Sequence, residues 1–208
     1  MKRNAAIFRL LSVALLLAGC ARSAPVSYYL LTAGHAIPPA AAATPTAPPL
    51  LGLGPVTLPA YLDRPQIVES LGPNRLSFAD RHRWAEPLAD NIAEVLRENL
   101  AATLGSDRVV LYPWNPTLAV AEQVTIEILH FETAPDNSTQ FEARWSILDG
   151  EGKLLMSPRI SSRHLAVAAP GGYAQQAAAL SEALAQFSAE IIAALREVPA
   201  EKRPELSR

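Results

Sequence analysis

Cysteine is almost absent from this chain, because Cys20 is the only one in 208 residues. A disulfide bond within the chain is therefore impossible, and a metal site made of several thiolates is excluded as well. Long apolar runs are also scarce. The segment Leu10–Ala18 is about half of the ~20 residues that a membrane-spanning helix requires, so we expect no permanent transmembrane helix there.

Basic charge is in short supply too. The chain carries 18 Lys and Arg against 20 Asp and Glu. Residues 1–19 contain three of the basic residues and none of the acidic ones, which leaves 15 basic and 20 acidic residues in the rest of the chain. Nucleic-acid binding depends on neutralising phosphates with Lys and Arg. Because the chain has no basic stripe, we expect no nucleic-acid partner.

Recognisable catalytic and metal-binding motifs are missing from the sequence. It has no HExxH, no GxSxG, no Walker loop and no GxGxxG, and its four histidines are scattered. One dense polar cluster stands at the entrance of a predicted helix, where a solvated or capping role is favoured over acid–base chemistry. We therefore predict a non-enzymatic protein with no cofactor and no metal. The polar cluster consists of Asp80, Arg81, His82, Arg83 and Glu86.

The residues around Cys20 explain the lone thiol. Three basic residues, a short apolar segment and small residues precede it, which is the pattern of a secretory signal. The string LAGC, Leu17–Cys20, resembles a bacterial lipobox, in which a diacylglycerol is attached to the thiol, the signal is cut before the cysteine and the new amino terminus is acylated. We predict a signal peptide over residues 1–19 and lipid attachment at Cys20. The alternative is an idle or buried cysteine in an ordinary signal.

The position after the cysteine bears on which membrane holds the anchor. By resemblance to enteric bacteria, retention in the inner membrane typically uses Asp at that place, whereas this chain has Ala21. We therefore expect an outer-membrane protein that faces the periplasm. Two or more acyl chains hold a protein stably on a bilayer.

The chain after the anchor sets the distance between lipid and domain. The string SYYLL, Ser27–Leu31, predicts a strand, whereas residues 33–49 are rich in Ala and Pro and favour neither a strand nor a stable helix. Residues 33–49 are either a flexible tether or, if Tyr28–Leu31 joins the sheet, a surface loop. We favour the second interpretation, in which the lipidated tether is residues 20–26 and its six residues after the cysteine span at most ~20 Å.

The remaining pattern predicts one α+β domain over residues 27–197 and a flexible tail over 198–208. The sheet is expected to be largely antiparallel, with about five to seven strands, and to be covered on one face by two helices. Hairpin turns are expected at GPN and at DGEG. Strands are predicted at 50–59, 66–70, 75–78, 108–113, 124–128, 141–147 and 153–164, and helices at 88–104 and 173–196.

Two further strings carry a family resemblance. LPAYLDRPQIV, Leu58–Val68, and RWAEPLADNI, Arg83–Ile92, together with the lipobox, the early YYLL and the long last helix, resemble the PqiC-type family of ABC transport auxiliary lipoproteins. The resemblance covers roughly residues 27–195, and the Ala/Pro-rich stretch departs from it. It implies an MCE-associated component of a lipid transport system that supports membrane integrity. Its implied partners are an MCE-domain protein and an inner-membrane permease with its ATPase, and a collar around such a conduit would be a closed homo-oligomeric ring.

The two strings supply the candidate interface. Tyr61 with Arg64 suits an interface anchor, because aromatic residues and Arg dominate binding hot spots, but a turn whose Tyr61 packs on the core explains the string equally well. Trp84 is favoured as a core residue over a ligand contact, and Glu86 suits the positive end of a helix. The full candidate set is Pro59, Tyr61, Leu62, Arg64, Pro65, Gln66, Arg83, Trp84, Glu86 and Pro87.

Two other functions compete with the docking role that we favour. A lipid-binding lipoprotein with its own apolar cavity would line that cavity with residues such as Leu129, Phe131 and Leu148. An envelope hydrolase would use the polar cluster around His82.

Overall fold

A computed structural model of the protein describes residues 25–34, 49–134, 136–168 and 171–199. The predicted lipid attachment at Cys20, most of the Ala/Pro-rich stretch and nearly all of the predicted tail lie outside these residues. The described elements, in chain order, are β1 (Ser27–Tyr29), β2 (Leu50–Thr57), β3 (Gln66–Gly72), β4 (Arg75–Trp84), α1 (Leu88–Leu104), β5 (Val109–Leu111), β6 (Val120–Thr133), β7 (Ser138–Asp149), β8 (Leu154–Ala166) and α2 (Tyr173–Glu197).

The eight described strands form one mixed sheet. Strands β3 and β4, β6 and β7, and β7 and β8 pair antiparallel. Strand β1 runs parallel to β4, β2 runs parallel to β5, and both β2 and β3 run parallel to β6. The prediction of a largely antiparallel sheet with five to seven strands is therefore wrong, although the α+β class and the two helices are confirmed.

The parallel pairs arise from long connections. After β4 the chain passes through α1 and returns as β5 beside β2, in the direction opposite to β4 and parallel to β2. Strands β2 and β3 must share one edge of β6, because β7 pairs along the other edge from Glu122 to Thr133. Turn residues in the sequence predict an antiparallel hairpin, whereas nothing in the local sequence predicts these parallel pairs.

Strand β1 does join the sheet, as we favoured. Tyr28 and Tyr29 pair with Arg83 and Trp84 of β4. The chain that follows is bound to the helices: the backbone N–H of Leu31 donates to the side-chain oxygen of Asn91 at 2.7 Å, and that of Gly34 donates to Asn99 at 2.9 Å. The first residues of the Ala/Pro-rich stretch are thus held on the domain.

The helices form where the apolar spacing predicted them. Helix α1 follows Pro87 and ends at Gly105, whose φ of 61° is the left-handed conformation that favours glycine. Helix α2 is long and apolar enough to cross a membrane by composition, but its apolar side packs into the core. There the ring of Phe187 lies 5.2 Å from that of Phe141 and 5.7 Å from that of Trp145 on β7.

We expect Phe187→Ala to lower the free energy of unfolding by about 3–5 kcal/mol, because it leaves a cavity between α2 and the sheet. Urea denaturation of the purified protein measures the change. Ile160→Ala is the matched control: Ile160 is 60% exposed on β8, so its truncation should change stability by no more than about 0.5 kcal/mol. Similar losses in both variants would contradict this account of the core.

Candidate functional site

The two family strings meet at one edge of the sheet. Residues from the β2–β3 link, from the end of β4 and start of α1, and from β1 line a single open cleft of about 430 Å³. We call it the motif cleft. It is lined by Tyr28, Asp63, Arg64, Pro65, Arg83, Trp84, Ala85, Glu86, Pro87 and Leu88.

Backbone pairing assembles the motif cleft. The Cα partner of Arg83 is Tyr28 on one side and Gln66 on the other, so β1 and the start of β3 flank the end of β4. The N–H of Trp84 donates to the carbonyl of Pro65 at 2.8 Å. The two strings lie at the open end of the β3–β4 hairpin and are thus joined by main-chain hydrogen bonds.

The two cleft arginines have unsatisfied hydrogen-bond donors. The guanidinium carbon of Arg64 lies 3.9 Å from the centre of the Phe78 ring, a cation–π contact that leaves its in-plane N–H groups available. The Nε atoms of Arg64 and Arg83 are buried without a hydrogen-bond partner, and neither side chain forms an ion pair among the described residues. Asp63 and Glu86 at the rim are exposed. The terminal N–H groups of the two arginines can donate to a ligand with oxygen acceptors.

The apolar floor of the cleft belongs to the core. Trp84 is buried, with its ring 6.4 Å from that of Phe131, and Leu88 is buried beside it at the start of α1. Trp84 therefore occupies the core position that we favoured. The accessible part of the cleft consists of its polar rim and the exposed ring of Tyr28.

Tyr61 points away from the motif cleft and packs against β6. Its hydroxyl lies 3.1 Å from the carbonyl oxygen of Leu129 and 3.1 Å from Oε2 of Glu132, either of which can accept its proton. The other carboxylate oxygen of Glu132 is 2.8 Å from Nδ1 of His130. Burial, and then the charge of Glu132, raise the pKa of the Tyr61 phenol. Tyr61 therefore packs on the core, as one of the two interpretations has it, and its partly exposed side chain also lines a second open cleft of about 460 Å³ beside the β3–β4 turn.

The remaining candidate residues hold positions in the fold, and Pro87 also lines the motif cleft. Leu62 is buried in the core, and its N–H donates to the carbonyl of Pro59 at 2.9 Å. Gln66 opens β3, and Pro87 directly precedes α1. The string is therefore a turn in which a few side chains face the cleft.

The other predicted sites do not come together. His82 is engaged by Tyr29, whose hydroxyl is 2.8 Å from Nδ1, and it stacks on Tyr173, while Asp80 and Glu86 are exposed. Leu129 and Leu148 are only partly buried, whereas Phe131 is fully buried, and none of the three lines the clefts described here. Within residues 25–34, 49–134, 136–168 and 171–199, no group of three His, Cys, Asp or Glu side chains could hold a metal ion.

Sequence reasoning missed Tyr28 and Asp63 as cleft residues. A signal for Tyr28 was present: in the pair Tyr28–Tyr29, strand alternation turns one ring outward if the other faces the helices. Nothing local indicated that β1 would pair with β4, so the neighbour of Tyr28 could not be named.

A two-helix layer on a mixed sheet, with an open cleft at one edge and unsatisfied donors inside it, describes a domain suited to binding. The chain belongs to the family of ABC-type transport auxiliary lipoprotein components, which it matches over residues 29–192. Among curated proteins, none matches the chain.

Solved structures share the fold. A crystal structure of an uncharacterized protein has a TM-score of 0.67 at 21% identity, covering 83% of this chain and 99% of its own. Protein XCC0632 from Xanthomonas campestris, of the DUF330 family, also has a TM-score of 0.67, at 17% identity, covering 83% of this chain and 98% of its own. The PelC dodecamer from Paraburkholderia phytofirmans, at 11% identity over 70% of this chain and 85% of its own, has a TM-score of 0.42, which is too low to carry an argument.

We expect Tyr61→Phe to lower the free energy of unfolding by about 1–2 kcal/mol at neutral pH, because it removes the hydrogen bond that the Tyr61 hydroxyl donates to β6, where Glu132 is buried. Urea denaturation of the variant and the unaltered protein measures the difference. Equal stability of the two proteins would show that the hydroxyl contributes nothing to holding the β2–β3 link on β6.

The same pair of proteins tests the raised pKa of Tyr61. An unfolded phenol ionises near 10, whereas the folded phenol keeps its proton to higher pH, so the contribution of Tyr61 is intact below pH ~10 and is lost as the pH rises further. The stability difference between the unaltered protein and Tyr61→Phe should therefore shrink between pH 9 and 11. Tyr173, whose pKa is also raised, is present in both and cancels. A difference that does not change with pH would refute the assignment.

Proposed function

We propose that this protein is a non-enzymatic envelope lipoprotein that docks the conduit of an MCE-type ABC lipid transport system at the outer membrane and so supports membrane integrity. The observation that carries the proposal is the motif cleft, which is lined by residues from both strings of the family resemblance. Because the residues that carry the family resemblance lie together in one accessible cleft, we infer that the cleft binds a partner common to the family.

The chemistry of the cleft fits a protein partner. Its accessible part combines the exposed ring of Tyr28 with arginines that have available donors, and Tyr and Arg are among the residue types that dominate interface hot spots. Arg64 is held by its contact with Phe78, so less conformational entropy is lost when it binds a carboxylate or a main-chain carbonyl. The proposed occupant is a segment of an MCE-domain protein whose complex includes an inner-membrane permease and ATPase. A closed homo-oligomeric ring would present one cleft per subunit to such a conduit.

The predicted anchor supplies the location. With residues 1–19 removed and Cys20 acylated, Ala21 and the following tether would hold the domain at the periplasmic side of the outer membrane. Because β1 begins at Ser27, the sheet edge that bears the motif cleft would lie within ~25 Å of the lipidated residue.

Site-specific photo-crosslinking in intact cells tests the docking surface. A photo-reactive residue in place of Glu86, on the rim of the cleft, should yield an adduct that contains an MCE-domain protein. The same residue in place of Ile160, which is exposed on β8 at another edge of the sheet, is the control and should not. Adding Arg64→Glu should weaken the adduct from position 86. Equal amounts of adduct from positions 86 and 160, or adducts without an MCE-domain protein at both positions, would contradict the proposal.

The anchor is tested separately. We expect Cys20→Ala to abolish incorporation of labelled fatty acid and to remove the protein from the outer-membrane fraction, because the thiol is the attachment point. Fatty-acid labelling and membrane fractionation measure both effects. Undiminished labelling of the variant would show that the lipid is attached elsewhere or not at all.

A further inference from the structure

An apolar stripe runs along the first described residues. Val26, Tyr28 and Leu30 are 37%, 63% and 50% exposed. The residues between and after them turn the other way: Tyr29 packs near Tyr173 of α2, and Leu31 is buried in the core. Because side chains alternate along an extended chain, the three exposed residues share the face opposite to the two helices. We call Val26, Tyr28 and Leu30 the β1 stripe.

The β1 stripe lies at the sheet edge that is nearest in sequence to the predicted anchor. Strand β1 ends the strand order, with β4 as its partner. Six residues, Ala21 to Val26, separate Cys20 from Ser27, and six residues span at most ~20 Å in any conformation. A membrane that holds Cys20 is therefore within reach of this edge.

We propose that the β1 stripe lies against the phospholipid bilayer in which Cys20 is anchored and fixes the orientation of the domain on that surface. The inference rests on the lipid anchor of the proposed function. Tyrosine with its polar tip and aliphatic neighbours suits the boundary between headgroups and acyl chains. In this orientation Tyr28 stands at the boundary between the bilayer and the motif cleft, which opens beside the membrane surface.

The test uses the full-length lipidated protein, reconstituted into vesicles of phosphatidylethanolamine and phosphatidylglycerol with or without brominated acyl chains. Tyr28→Trp places a fluorescent probe in the stripe. Tyr112→Trp is the matched control, because Tyr112 is 56% exposed and follows β5, at the opposite edge of the sheet. Both variants keep the three native tryptophans as a common background. We expect brominated lipid to quench the added fluorescence at position 28 and leave that at position 112 unchanged.

Further variants sharpen the result. Leu30→Asp should reduce the quenching at position 28, because it places a charge in the stripe, whereas Ile160→Asp on β8 should not.

Three outcomes would overturn the inference. Equal quenching at positions 28 and 112, in protein whose intact mass shows an acylated cysteine, would leave the anchor standing and remove the membrane-facing stripe. A blue-shifted probe at position 28 that brominated lipid does not quench would place a second copy of the chain on the stripe instead. An intact mass without acyl groups would remove the anchor and this inference together.

Discussion

The shared edge of β6 is the constraint on which the rest of the structure depends. One edge of this 14-residue strand is filled by β7, and the other must accept both β2 and β3. Between Thr57 and Gln66 the chain therefore leaves the ladder. Pro59 cannot donate a ladder hydrogen bond, and the hydroxyl of Tyr61 approaches the carbonyl of Leu129, where the pairing of β6 with β7 shifts register. The β2–β3 link therefore interrupts the pairing along this edge of β6, and its residues Asp63, Arg64 and Pro65 line the motif cleft.

Local signals predicted the elements, and distant contacts decided their arrangement. The hairpin between β3 and β4, and the helix ended by Gly105, could be read from turn residues and apolar spacing. The parallel pairings could not be read from the sequence. Strand β1 pairs with β4 across more than 50 positions, and no turn sequence between them predicts that contact. Asn91 and Asn99 show the same limit: on a helix they suggest a solvated face, yet both are buried and bind the backbone of the chain after β1.

The candidate site likewise has features that the sequence predicted and features that only the structure shows. Both strings could be singled out from the sequence, and Arg64 and Glu86 do reach the cleft. Their meeting follows from the β3–β4 hairpin, whose open end pairs Gln66 with Arg83, whereas the place of Tyr28 beside Arg83 required the sheet. Tyr61 shows why a string alone is ambiguous: consecutive residues of one turn face opposite directions, so Tyr61 supports the link while Arg64 faces the cleft. The buried Nε atoms of Arg64 and Arg83 are an energetic cost to the free protein, as is common where a surface is shaped for binding rather than for stability.

The attachment of β1 also has a mechanical side. A pull on the chain before Ser27 acts along the axis of a strand that lies parallel to β4, so the ladder hydrogen bonds are loaded together in shear instead of opening one after another. Beyond the strand, the bonds from Asn91 and Asn99 pass the load into α1. A pull on the amino terminus would therefore be shared between the sheet and the helical layer.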